Sequence, residues 1–259
     1  MTILRPCQRI LNIPGYGMIV TSGRATLHAG HTAGNGLLNG LVAYYPMNEA
    51  SGNILDAHTA AKTVAAQTTI GNQTGHVYAT AREFVNSEMD WALRDDPMNL
   101  NALTIGFWAY VYTLSGIPGE YLGIVGNAPV GNYSPGWQLF FNHEGQLIVS
   151  IAAGGMNWLL WHAPYYISEN AWTSILVTHN PVADTVSINA NGSISSTEWT
   201  NGIGDGYQFA IGRMSSISDS GYFDGRIGPL AIWNRALSTT EQDAWYAAGA
   251  GLAYGDFTT

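Results

Sequence analysis

From Leu41 onward, apolar and polar residues alternate in short runs, the period-two signature of strands with one buried face. The pattern predicts strands at 40–47, 81–84, 103–112, 121–125, 137–142, 146–152, 157–162, 171–178, 186–190, 208–213 and 225–233. In the third of these, Leu103, Ile105, Phe107, Ala109 and Val111 share one face. β-Branched and aromatic residues are common in the runs, and Asn, Gly, Pro and Asp clusters separate them. Asn191-Gly192 suits a tight type I′ hairpin, in which both central residues need positive φ. One segment, 239–248, reads as a helix. Ser238 and Glu241 make a capping box, Ala244, Trp245 and Ala248 share a side, and Gly249 is placed to end it. Many short strands and one late helix predict an all-β, antiparallel two-sheet sandwich.

Residues 1–38 break this pattern. Pro6, Pro14 and six glycines interrupt short apolar pieces such as Met18-Ile19-Val20, so no core can form there. Those pieces are poor choices for a solvated leader. The expectation is an extended N-terminal arm at 1–38, used for docking or assembly, and a body at 39–259. A chain of 259 residues suits one large sandwich plus such an arm.

Composition narrows the class. Charged residues are 10% of the chain, well under the usual ~25%. The nine basic residues are scattered against eighteen acidic ones, so the phosphate-neutralising patch that nucleic acid needs is missing. The single cysteine, Cys7, excludes an internal disulfide and a cysteine-cluster metal site. No run of ~18 apolar residues predicts a membrane span, and the first twenty residues lack the unbroken apolar core of a secretory signal. Low charge also limits repulsion between copies, which suits an assembly subunit.

Several segments occur in the order found in a known family. They are Gly40-Leu41-Val42-Ala43-Tyr44-Tyr45-Pro46-Met47-Asn48-Glu49-Ala50-Ser51-Gly52, Ala81-Arg82-Glu83-Phe84, Leu103 to Val111, and Ala171 to Thr178 leading into Asn191-Gly192. The most specific is Phe223-Asp224-Gly225-Arg226-Ile227 through Ile232-Trp233-Asn234-Arg235-Ala236-Leu237-Ser238 and the capped helix. Together they resemble the laminin-G-like, concanavalin A-like jelly rolls of lectins and phage structural proteins, over roughly 40–250. The resemblance implies a jelly-roll sandwich and, in many relatives, a calcium ion tying rim loops together. Its positions here would be Asn48, Glu49, Asp56 and Asp224, since calcium takes six to eight oxygens. Gly228-Pro229 stands where many relatives keep a further acidic residue.

Other chemistry is mostly refused. The jelly-roll glucanase pattern needs two catalytic carboxylates, and Glu88-Met89-Asp90-Trp91-Ala92-Leu93 has leucine in place of the second glutamate. Glu88 and Asp90, two apart, could still share a strand face. Asn132-Tyr133-Ser134-Pro135-Gly136 fails as a serine-hydrolase elbow, and Gly202-x-Gly204-x-Gly206 precedes a strand, where a dinucleotide loop would follow one. His28-x-x-His31 lacks a third ligand. No catalytic residue is expected.

Aromatics remain. Sugar rings stack on Trp and Tyr while polar neighbours fix the hydroxyls. The dense stretch 154–166 and a second loop-to-strand junction give Tyr133, Trp137, Trp158, Trp161, Tyr165 and Tyr166 as candidate ligand contacts. The same residue types equally fill cores and subunit contacts. The leading expectation is a non-enzymatic virion subunit, a phage capsid decoration or appendage protein with a laminin-G-like body. It would dock on other virion proteins and on its own copies through 1–38, with glycan binding as a secondary role. The alternative is a stand-alone carbohydrate-binding or adhesion module.

Overall fold

The computed structural model describes residues 35–114, 116–128, 134–214 and 221–259, and the backbone of two short strands before them. Those strands, β1 (Arg9–Leu11) and β2 (Ile19–Thr21), pair antiparallel, Ile10 opposite Val20. Next come β3 (Leu41–Tyr45), β4 (Ala65–Ala66), β5 (Gly71–Thr74), β6 (Thr80–Phe84), β7 (Ala92–Arg94) and β8 (Leu103–Val111). Then follow β9 (Tyr121–Gly126), β10 (Gly136–Asn142), β11 (Gln146–Gly154), β12 (Asn157–Tyr166) and β13 (Trp172–Asn180). The last are β14 (Thr185–Ala190), β15 (Ser193–Glu198), β16 (Phe209–Ile211), β17 (Gly225–Trp233) and the helix α1 (Thr239–Tyr246).

One sheet runs β12-β11-β10-β9-β16-β7-β4 and the other β15-β14-β13-β8-β17-β6-β5, with β3 beside β17. Each strand-to-strand pairing within the two sheets is antiparallel, as the alternating pattern requires. The eleven predicted strands are present. β1, β2, β4, β5, β7 and β15 lie outside that prediction, β5 and β15 because their residues, GNQT and SISSTE, are almost wholly polar.

The main core lies between the sheets, where Ile105, Phe107, Ala109 and Val111 of β8 meet Trp137, Leu139 and Phe141 of β10. A second core sits on the outer face of the eight-stranded sheet. There Trp108, Leu176 and Trp233 are covered by Trp245 of α1, by Leu252 and Phe257 of the C-terminal tail, and by Leu37. Gly106 makes room for this cover: a Cβ there would lie 2.8 Å from Leu176 and 3.1 Å from the Trp245 ring. Residues 35–38 are tied into the body. Trp233 Nε1 donates to the Leu37 carbonyl (2.7 Å), and Leu38 N donates to the Thr258 carbonyl (3.1 Å).

The helix has its expected capping box, Ser238 accepting from Glu241 N while Ser238 N donates to the Glu241 carboxylate. Arg235 grips the same carboxylate through both terminal nitrogens. The helix ends two residues early, however. Ala247 (φ 47) and Ala248 (φ 53) turn left-handed before Gly249, and Ala248 is exposed.

Candidate functional site

Strand alternation divides the predicted aromatic contacts between two faces. On β12, Leu159, Trp161 and Tyr165 pack against the main core, whereas Trp158, Leu160, His162 and Tyr166 point the other way. Trp137 is 1% exposed and lies wholly in the interior against Phe209. Tyr165 donates to Thr173 Oγ1 (3.4 Å), and burial raises its pKa. Trp158 and Tyr166 share the outward face but stand eight residues apart, roughly 26 Å along the strand. Tyr133 lies outside the described residues, as does His28-x-x-His31. The six residues therefore do not form one platform.

A different constellation does. Four strands of the eight-stranded sheet bring Trp172, Tyr110, Arg226 and Glu83 into one cross-strand row, each the register partner of the next. At ~4.8 Å between strands the row spans about 14 Å. The Arg226 guanidinium stacks 3.7 Å from the Tyr110 centroid, 5.5 Å from Tyr112 and 5.6 Å from Trp172. The Tyr110 and Trp172 rings are 5.5 Å apart, and exposed His76 stacks 5.9 Å from Trp172. Tyr112 OH donates to Glu83 Oε1, whose other oxygen takes Gln73 Nε2. Burial first, and then that carboxylate, hold the Tyr112 hydroxyl protonated far above neutral pH. Exposed Asn170 sits at the rim, accepting from Tyr110 OH (3.5 Å).

Two sequence features build this row. Trp108 and Tyr110 alternate along β8 opposite its core residues and Tyr112 continues the alternation just past its end, which leaves an aromatic stripe on the outer face. Gly225 (φ 152) lets β17 cross close to β8, because a Cβ there would lie 2.1 Å from the Tyr110 carbonyl oxygen. Trp172, Tyr110, Tyr112, Arg226 and Glu83 are all partly exposed. The row thus presents ring faces beside a cation, a carboxylate and an amide. The stripe was legible in the alternation; its partners come from strands far apart in sequence and needed the register.

The expected calcium ligands are engaged elsewhere. Asp56 accepts from Tyr44 N, His58 N, Thr59 N and Thr59 Oγ1, and acts as the cap of a turn. Burial works against the charge on Asp56, but these bonds outweigh it and its pKa is lowered. Glu49 Oε1 takes Leu55 N (2.7 Å), and the Asn48 carbonyl takes Thr80 Oγ1. Asp224 accepts from Asn86 N, four residues beyond Arg82 along the chain and roughly 13 Å from it. The carbonyls of Glu49 and Gly52, in the same turn, already face a cation. Fully buried Arg82 donates to them at 3.1 and 2.6 Å. Among the described residues no three His, Cys, Asp or Glu side chains are grouped to hold a metal ion. Glu49 Oε2 is buried without a hydrogen-bond partner, but it lies beside the Arg82 guanidinium, and one such oxygen falls short of the six to eight that calcium takes.

Nor do Glu88 and Asp90 share a strand face. Glu88 closes a 3₁₀ turn, Met89 is left-handed, and buried Asp90 is spent on Thr68 Oγ1 and Val85 N.

Sheet order, core and capped helix define a jelly-roll sandwich. Residues 86–241 match the family model of the concanavalin A-like lectin/glucanases superfamily, and the chain belongs to that family. No curated protein matches it significantly. Among solved structures it is similar to domain 4 of AbnA, a GH43 extracellular arabinanase from Geobacillus stearothermophilus, in complex with arabinotriose. That likeness has a TM-score of 0.60 at 16% identity and covers 82% of this chain and 98% of that one. It also resembles the binding domain of Paraclostridial Mosquitocidal Protein 1 (TM-score 0.60, 19% identity, 79% of this chain, 51% of that one). A third likeness is to the botulinum neurotoxin type G receptor binding domain (TM-score 0.58, 15% identity, 82% and 52%). The chain thus spans about half the length of the two toxin domains. At these identities the likeness is one of fold.

Proposed function

We propose that the protein is a non-enzymatic carbohydrate-binding module whose contact surface is the Trp172–Tyr110–Arg226–Glu83 row with Tyr112. The observation that carries this reading is the row itself: partly exposed rings for the apolar faces of sugars, flanked by groups that hydrogen-bond hydroxyls. The family and the arabinotriose-bound likeness support it. The test is titration of the full chain against an oligosaccharide panel that includes arabinotriose. Trp172→Ala should weaken binding at least tenfold and Arg226→Ala should also weaken it. No binding across the panel, or binding indifferent to both changes, would sink the reading.

The virion setting expected from the sequence, with docking through 1–38, keeps its original motives of low charge and apolar pieces in that segment. None of the solved structures named above is a virion protein. Deletion should stop at residue 34, since Leu37 belongs to the second core. Particle incorporation of the shortened chain is the measurement, and unchanged incorporation would remove the arm from consideration.

A further inference from the structure

The strands at the sheet margins are unequal. β4 has two residues, β5 has four polar ones, and β15 is a serine-rich six ending in Glu198. β12, at the end of the seven-stranded sheet, has ten residues and no charged one. Natural proteins blunt sheet edges with short strands, charges, bulges or proline. On β12 the register breaks opposite Gln146/Ile148 and Ala152/Gly154, and between these breaks Trp158 to His162 pair without interruption with Ala152 to Ile148. Exposed apolar side chains gather along this side: Met156 (88% exposed), Leu160, Tyr166, and Ile194 of neighbouring β15.

We propose that β12 pairs antiparallel with β12 of a second copy, across a two-fold axis perpendicular to the sheet and centred on Leu160. In such a pair, residues on one face meet residues on the same face, so only registers with an even sum are allowed. Centring on Leu160 sets Leu160 against itself, Trp158 against His162 of the partner subunit, and Leu159 against Trp161 of the partner subunit. A self-paired strand sets each charge near its own copy, and like charges directly opposite destabilise the pair. A chain of net charge -9 therefore needs a charge-free margin to self-associate, and β12 supplies one. Pro164 lies beyond the ladder, opposite the turn residue Met156 of the partner subunit. A slip centred on His162 would bring Pro164 into the ladder, where it has no N–H to give, so proline also fixes the register. The result is one sheet running through both copies.

The full chain should sediment as a dimer at micromolar concentration. Leu160→Lys sets two ammonium groups at the axis on an outward, part-exposed position, and should weaken dimerisation at least a hundredfold while circular dichroism stays unchanged. In a Cys7→Ser background, Leu160→Cys should cross-link two chains spontaneously, since directly opposed residues have the Cα separation a disulfide needs. Trp172→Ala, on the other sheet, should leave the dimer intact, so failure of this inference and failure of the glycan reading are separable. A wild-type monomer at all concentrations overturns the inference, as does a dimer that survives Leu160→Lys and refuses the cross-link.

Discussion

The outer face of the eight-stranded sheet falls into two halves with nearly the same residues and opposite fates. At one end Trp108, Trp233 and Trp245 are sealed by α1 and the C-terminal tail, Trp233 and Trp245 edge to face at 5.6 Å. At the other, Tyr110, Tyr112 and Trp172 stay partly exposed and gather Arg226 and Glu83. Both halves sit on the same strands. What separates them is cover: the helix and tail bury one half, and a stacked guanidinium with polar partners keeps the other wet. Aromatic content therefore does not mark a site by itself; an aromatic stripe left uncovered among polar groups does.

The sharpest way to break this contrast is to truncate one tryptophan from each half. Trp245→Ala should cost ~3–5 kcal/mol of stability, since its side chain is fully buried. By the same comparison Trp172→Ala should cost much less and act on ligand affinity. Equal losses in thermal melts would show that the second half is core as well. Arg82→Met, which removes a buried cation from two carbonyls, should cost about 1.5–3 kcal/mol for a charge-assisted hydrogen bond. Ser238→Ala should cost ~1 kcal/mol through the lost cap and loosen the cover over the sealed half. The smallest effect belongs to chelation. With Arg82 closing the 49–52 turn, melting of the wild type should be the same in calcium and in chelator. A calcium-dependent rise would place an ion at the rim after all.

The fold was legible because strand faces and the capping box are local. Leu103 to Val111 declares its period within nine residues, and Ser238 with Glu241 declares the helix start. β5 and β15 were hidden because they earn their place by backbone pairing to β6 and β14, with few apolar side chains. The site was legible only in part. The crowded stretch 154–166 drew attention, yet alternation turns Trp161 and Tyr165 inward and leaves Trp158 and Tyr166 far apart. The row that does assemble joins positions 83, 110, 172 and 226, and only register could bring them together. Arg82 carried no signal at all: an arginine in a strand reads as solvent-facing until its carbonyl partners are seen.

The stitching of residues 35–38 to the tail has a topological consequence. Asn35 N donates to Thr258 Oγ1, Thr258 N returns a bond to Asn35 Oδ1, and Asn35 Nδ2 reaches the Asp256 carbonyl. The body thus closes on itself as a ring, its entry and exit segments side by side at one pole. A ring can be cut elsewhere. A circularly permuted chain, with 258 joined to 35 by a short linker and new ends opened at the exposed tip around Val182, should fold to the same sandwich. For the same reason the body can be spliced into a surface loop of a host protein without prying the host apart, and whatever is tethered at either end leaves from that one pole.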